Sequence, residues 1–291
     1  MVMSMNNLKI FVEVVNNGNN ITLTSQKLYI SQPAVSKAIK NIETELNIQL
    51  FNRDKKTGLK LTPVGEQILF HTRSLLHEEE EIYQIANDEN HLLSGTLRIA
   101  SIPFHTYSLI GKSIKIFKQR FPYVNIKYDE VTTKQVKEKV SQYEVDLGMT
   151  VYPFDEFETI KLYDDSMIAF SKKNINIKEF DFSQLDINVK VCQSGLEVIQ
   201  PVLEDRNLFH IEQFEIYSSP MTVKVFVDEG LGIGIVSKSF IENIEDYHIY
   251  PVKPSISSDA AIIFNDYDNL TPAAKEFIKI IIETMKKDSL F

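Results

Sequence analysis

The sequence predicts an α/β protein headed by a helix-rich unit of the winged helix-turn-helix type. Three observations predict it. Residues 1–65 read as helix, helix, turn, helix and wing, with eight basic against four acidic side chains. A helix of roughly 25 residues then runs without an internal breaker after Gly65. From Gly95 onward, strand-like and helix-like segments alternate, which means βαβ units and a parallel sheet.

Leu8, Phe11, Val12 and Val15 recur at helical spacing within 8–17, and Asn17-Gly18 ends that helix, because Gly tolerates the left-handed conformation. A short helix over 22–28 should turn Leu23 and Leu28 inward. After a turn at Tyr29-Ile30, Ser31 is placed to cap a third helix, with Pro33 in its first turn, where a missing N–H costs nothing. Val35, Ala38, Ile39, Ile42 and Leu46 form the apolar face of that helix, and Gln32, Ser36, Lys37, Lys40, Asn41 and Thr44 the polar one. Phe51-Asn52-Arg53, a basic stretch with Gly58, and the alternation Leu59-Lys60-Leu61 predict a two-stranded wing.

Thr62-Pro63 opens the long helix. On it Ile68, Leu75 and Ile82 lie seven apart, as do Leu69, Leu76 and Tyr83. Two such rows suit packing against a partner helix; packing on its own domain is the alternative. Further along, strands are expected at 97–100, 124–131 and 145–149, with helices at 108–120 and 133–142 between them. A second block repeats the style, with strands at 190–192, 214–217 and 233–236 and helices at 196–206 and 220–229. A strand at 260–264 and a helix at 271–286, opened by Thr271-Pro272, come last.

The 291 residues suffice for two or three domains, and 43% hydrophobic with 24% charged residues fits a soluble globular chain. Cys192 is the only cysteine, which excludes an internal disulfide framework and a Cys-cluster zinc site and fits a reducing compartment. No apolar run approaches the roughly 18 residues of a membrane helix. Met1 to Asn7 show no basic region leading into an apolar stretch, so a secretion leader is not expected and a cytoplasmic location is. The overall charge of -9 seems to oppose a nucleic-acid partner, but residues beyond 65 hold 23 basic against 36 acidic side chains. The asymmetry assigns a polyanion to the front module, with chance clustering as the alternative.

In a helix-turn-helix the second helix of the pair enters the major groove and its N-terminal residues touch base edges. The amide of Gln32 can pair with an adenine edge, Ser36 can donate or accept, and Lys37 can reach a guanine edge or a phosphate. Arg53 and Lys55 on the wing suit phosphates, which fix register without reading sequence. The alternative for each residue singly is the wet side of an amphipathic helix.

Ser31-Gln32-Pro33-Ala34-Val35-Ser36-Lys37, then Ile39, Ile42-Glu43, Leu50-Phe51-Asn52-Arg53 and Leu61-Thr62-Pro63-Val64-Gly65, resemble the N-terminal domain of LysR-type transcriptional regulators across about residues 5–65. The match over about 93–291 is looser. Two departures stand out: Thr24-Ser25 where the family usually has two alanines, and Ser237 where a proline usually follows the Gly-x-Gly strand.

The resemblance implies a sequence-specific DNA-binding regulator acting as a homodimer or homotetramer. It implies a winged helix-turn-helix over 1–63 whose DNA contacts include Gln32, Pro33, Ser36, Lys37, Lys40, Arg53 and Lys55. Residues 64–92 would form a dimerising linker helix, paired through Ile68, Leu75 and Ile82. Residues 93–291 would form a two-lobed, periplasmic-binding-protein-like effector domain, with lobe 1 at about 93–163 and 265–291 and lobe 2 at about 164–264. The crossovers would lie near 160–171 and 260–264. Partners would be double-stranded DNA and a small-molecule co-inducer, with no membrane and no cofactor.

In open α/β sheets ligands sit beyond the carboxyl ends of strands, at helix N-termini. Here those positions are Ser101, Ile102, Pro103, Thr132, Thr133, Thr150, Ser194-Gly195, Ser218 and Ser219. Each is also an ordinary capping position. Hydroxyls and amides there suit a carboxylate or phosphate, so a small anionic metabolite is expected; Arg98 and Lys224 are cations that could assist, but nothing in the sequence places them in the cleft. The rival readings are a small-molecule-binding α/β protein or an enzyme without specific DNA binding. Catalytic motifs are missing: there is no Gly-x-Ser-x-Gly elbow, phosphate loop or His-Glu-x-x-His. The six histidines are scattered, and no metal site is expected.

Overall fold

The computed structural model describes residues 3–54, 58–89, 93–105, 109–184, 189–241 and 244–288. The chain divides into two compact units, 1–83 and 84–291. Lys55 of the expected wing lies outside the described residues, as does the Arg53 side chain.

The first unit holds helices α1 (Met5–Asn16), α2 (Ile21–Leu28) and α3 (Gln32–Leu46) and the antiparallel wing strands β1 (Phe51–Asp54) and β2 (Gly58–Leu61). It also holds most of α4 (Pro63–Glu89). Leu8, Phe11, Val14, Val35, Ala38, Ile39, Ile42, Leu50, Phe51 and Leu69 form its core. Gly18 closes α1 at a φ of 67°. The buried face of α1 is Leu8, Ile10, Phe11 and Val14, so Val12 and Val15, expected inward, are only partly covered.

The inward face of α2 also differs from expectation. Leu23 is exposed, and Thr24 and Ser25 are buried instead. Their hydroxyls have partners: Thr24 donates to the Asn20 carbonyl at 2.8 Å and Ser25 to the Thr22 carbonyl at 2.8 Å. Two small, satisfied side chains let α2 approach its neighbours closely, which Leu23 would not.

Two polar groups lock the wing to the helices. The Glu43 carboxylate accepts from the Leu50 N–H at 2.9 Å. Thr62 donates to the Gln49 carbonyl at 2.7 Å and accepts from the Gly65 N–H at 2.9 Å, capping α4. Gly65 then lies against Leu50, where a Cβ would stand 2.3 Å from the carbonyl oxygen.

The second unit carries two sheets. The first has the order β4-β3-β5-β13-β6, from β3 (Gly95–Ser101), β4 (Val124–Glu130), β5 (Leu147–Val151), β6 (Glu158–Tyr163) and β13 (Ala260–Phe264). Helices α5 (Pro103–His105), α6 (Gly111–Arg120), α7 (Thr133–Ser141) and α10 (Pro272–Asp288) accompany it. The second sheet has the order β10-β9-β11-β7-β12-β8. Its strands are β7 (Met167–Ser171), β8 (Phe180–Asp181), β9 (Val189–Cys192), β10 (Phe214–Tyr217), β11 (Ile233–Ser237) and β12 (His248–Lys253), with helices α8 (Gln193–Glu204) and α9 (Pro220–Asp228).

β3 pairs in parallel with β4 and β5, and β9 with β10 and β11, as the βαβ pattern requires. The chain passes between the lobes at 164–166 and returns at 254–259. The return therefore precedes the position expected for it, and lobe 2 ends before Ala260. Ala260–Phe264 pairs antiparallel with both β5 and β6 and is buried throughout, so it is a central strand of the first sheet.

The two crossovers are tied together. The Asp165 N–H donates to the Asp259 carboxylate at 2.9 Å, and the Ser258 N–H to the Asp165 carbonyl at 3.0 Å. The Asp165 carboxylate accepts from the Ser239 N–H and hydroxyl.

Gly65→Ala should destabilise the first unit by about 1–3 kcal/mol, the cost of forcing a methyl into a filled contact. Urea unfolding of the variant against wild type checks this, and an unchanged midpoint would refute the close approach.

Candidate nucleic-acid face and inter-lobe cleft

α3 presents one side to solvent. Gln32, Pro33, Lys37 and Lys40 are exposed and Ser36 is partly so, while Val35, Ala38, Ile39 and Ile42 pack inward. The 3.6-residue repeat sets Gln32, Ser36 and Lys40 in one row, with Pro33 and Lys37 beside it. The Ser31 hydroxyl accepts from the Ala34 N–H at 3.3 Å, and Pro33 has no N–H to satisfy. Because Glu43 is engaged by Leu50 and Phe51, its charge is drawn toward the wing rather than toward the lysine row. Tyr29, in the left-handed turn before α3, is 95% exposed; the sequence reading treated it only as a turn residue.

On α4, Leu69 packs into the first unit's core and Ile68 is partly buried against it. Leu75 and Ile82 are exposed, Ile82 to 67%. The row read at seven-residue spacing is thus divided between the unit's own core and solvent.

Within the second unit a cleft opens between the lobes. Lobe 1 contributes Ile102, Pro103, Phe104 and Val151. Lobe 2 contributes Met167, the first turn of α8 (Cys192, Ser194, Gly195 and Val198), Pro220, and Val236, Ser237 and Phe240. The cleft holds about 490 Å³ of unfilled space, part of it continuous with solvent.

Of the positions expected from strand ends, Ile102, Pro103, Ser194 and Gly195 line this cleft. Six others do not. Ser101 is buried and its hydroxyl lies 2.6 Å from that of Tyr128. Thr132 caps α7 and Ser219 caps α9. Thr133 and Thr150 are buried and Ser218 is exposed, and none of the three is among the lining residues. The apolar wall of Phe104, Val151, Met167, Val198 and Phe240 was missed. Its only sequence signal is that apolar residues, too, sit at strand ends and helix starts.

No lysine, arginine or histidine is among the described lining residues. Arg98 lies 3.7 Å from Asp146, and Lys224, pushed up to about 12 by its bond to Asp228, packs at Tyr247; neither lines the cleft. The N-terminus of α7, an expected anion site, is already engaged. The Lys134 N–H donates to the Glu197 carboxylate of α8 at 3.0 Å, joining the two lobes. Burial pushes the Cys192 thiol up, and its sulfur accepts from the Gly195 N–H at 3.3 Å.

Residues 5–66 match the model of the bacterial regulatory helix-turn-helix protein, lysR family, and residues 90–286 match that of the LysR substrate binding domain. The chain belongs to the LysR family. It is a LysR-type DNA-binding transcriptional regulator with a substrate-binding domain, not an enzyme. It is 34% identical over 286 residues to the uncharacterized HTH-type transcriptional regulator YoaU of Bacillus subtilis (strain 168), covering 97% of this chain and 98% of that protein. A full-length OxyR variant from Pseudomonas aeruginosa shares the fold, with a TM-score of 0.71, 20% identity and 98% of each chain covered. So does full-length CbnR, solved in complex with its target DNA, with a TM-score of 0.57, 14% identity, and 97% of this chain and 100% of that one covered. In this LysR-type chain Ser237, where the family usually has proline, places a hydroxyl on the cleft wall.

Behind Phe104, His105 is fully buried, with Nε2 3.2 Å from the Tyr163 hydroxyl. Burial lowers its pKa to about 4, with the Met149 backbone opposing the shift. The unfolded chain takes up this proton below about 6.5, so it binds more protons than the folded chain between the two values. Stability from this group is therefore complete above about 6.5 and falls by roughly 3 kcal/mol as the pH drops through 4. Unfolding midpoints measured from pH 7 to 4 should show this loss in wild type and a shallower loss in His105→Asn.

Proposed function

We propose that this regulator binds a specific double-stranded site as a homodimer, with α3 in the major groove, and that a small molecule in the inter-lobe cleft alters that binding. The exposed row of Gln32, Ser36 and Lys40, flanked by Pro33 and Lys37, carries the reading. Gln32 and Ser36 supply base-edge contacts, and Lys37 and Lys40 reach bases or phosphates. The basic residues Arg53 and Lys55 suit further phosphate contacts by their charge, and the Tyr29 hydroxyl adds one beside the start of α3. CbnR, solved with its target DNA, shares the fold over nearly the whole chain, which favours the same use of α3.

Exposed Leu75 and Ile82 on α4 support pairing with a second copy, because an apolar row gains by leaving water. A DNA partner supports a cytoplasmic location, and among the described residues no helix is long and apolar enough to cross a membrane. The proposed domain order is a DNA-binding unit, a dimerising helix and an effector unit, with lobe 2 ending before Ala260.

Selection of bound fragments from random duplex DNA, with and without metabolite pools, tests the reading. A two-fold-symmetric motif supports it, and no preference among duplexes refutes it. Gln32→Ala should lose about 1–3 kcal/mol of discrimination between sites. An unchanged site preference would reject the orientation of α3. Leu75→Asp should sediment as a monomer, since it sets a charge in the helix seam. A wild-type mass would reject that seam.

A further inference from the structure

We infer that the cleft of this regulator takes a neutral, mainly apolar molecule and rejects carboxylates, because its described lining carries no cation, the start of α8 is capped by the Cys192 sulfur and the start of α7 is already occupied by Glu197. The inference rests on the reading of the cleft as the effector site.

Three observations support it. The lining offers no cation among the described residues, and its polar groups are the uncharged Ser194 and Ser237 hydroxyls and the Cys192 thiol. An ionised ligand there would lose its water without gaining a counter-charge. The anion-binding end of α7 is filled from three directions. Thr132 accepts from the Gln135 N–H, the Gln135 side chain accepts from the Thr132 N–H at 3.1 Å, and Glu197 of the other lobe accepts from the Lys134 N–H at 3.0 Å. Helix N-termini favour negative charge, and here the chain supplies that charge itself. Finally, Glu197 belongs to the same first turns of α8 as Ser194 and Val198, and its charge acts on the Cys192 thiol. A second carboxylate beside it would meet like-charge repulsion.

The test uses benzamide and benzoate, isosteres that differ in charge, titrated against the full chain by calorimetry. Benzamide should bind wild type about tenfold or more tighter than benzoate, and Glu197→Gln should shrink that ratio. Benzoate binding as tightly as benzamide, a ratio unchanged in Glu197→Gln, or no benzamide binding to wild type at millimolar concentration would each overturn the inference. Ser194→Trp, which fills the cleft, should abolish benzamide binding; Ser237→Phe serves if the first variant does not fold. Persistent benzamide binding in the filled variant would show a site elsewhere. That outcome removes the cleft reading itself, whereas a benzoate preference lost on filling removes only the ligand class.

Discussion

The geometry of the effector unit depends on one residue at the point where the chain changes lobes. Asp165 binds both crossovers: its N–H reaches Asp259, and its carbonyl takes the Ser258 N–H. Its side chain caps the turn Lys238–Phe240 through Ser239, and that turn places Ser237 and Phe240 on the cleft wall. Burial raises the Asp165 pKa, and the bonds from Ser239 and Ser166 oppose the rise. A partly buried charge is tolerable only with such donors.

The DNA-binding unit is ordered by a comparable device in miniature. Its core is apolar, but the angles between its elements are set by buried polar groups with defined partners. Thr24 and Asn17 join the end of α1 to α2, Glu43 joins α3 to β1, and Thr62 joins β2 to α4. Hydrophobic burial is non-directional, so it can collapse three helices without fixing their angles. Directional hydrogen bonds fix them, and so fix which side of α3 remains wet.

Much of this was legible in the sequence, and the gaps have physical causes. Helix α3, its Ser31 cap, the wing and most βαβ strands follow from local periodicity and capping chemistry. The inward turn of Thr24 and Ser25 does not, since apolar periodicity ranks Leu23 above both; the interhelical distance decides it. β12 was missed because its Pro251 argues against a strand, and β7 and β6 were placed only as a crossover region. Ala260–Phe264 was read correctly as a strand but put on the wrong side of the lobe boundary, because partner choice is not encoded in one strand's apolar run. The Glu197–Lys134 contact joins residues 63 apart, and no local pattern announces it. The helix N-termini were legible as anion sites; that the chain fills one of them was not.

On the proposed reading, that contact also gives the cleft a direction of response. Filling an apolar space favours whichever lobe arrangement buries the most lining, and this force has no preferred orientation. The bond from the Lys134 N–H to Glu197 is directional and joins the two lobes. A neutral ligand seated between Phe104 and Val198 can gain burial while that bond stays intact, so the two effects add toward closure. An anion at the start of α7 would have to displace Glu197 first, and its binding would then work against closure. A ligand shifts an equilibrium only by its differential affinity for the two states. On the proposed reading, Glu197 therefore decides which chemistry of ligand can act as a closing signal.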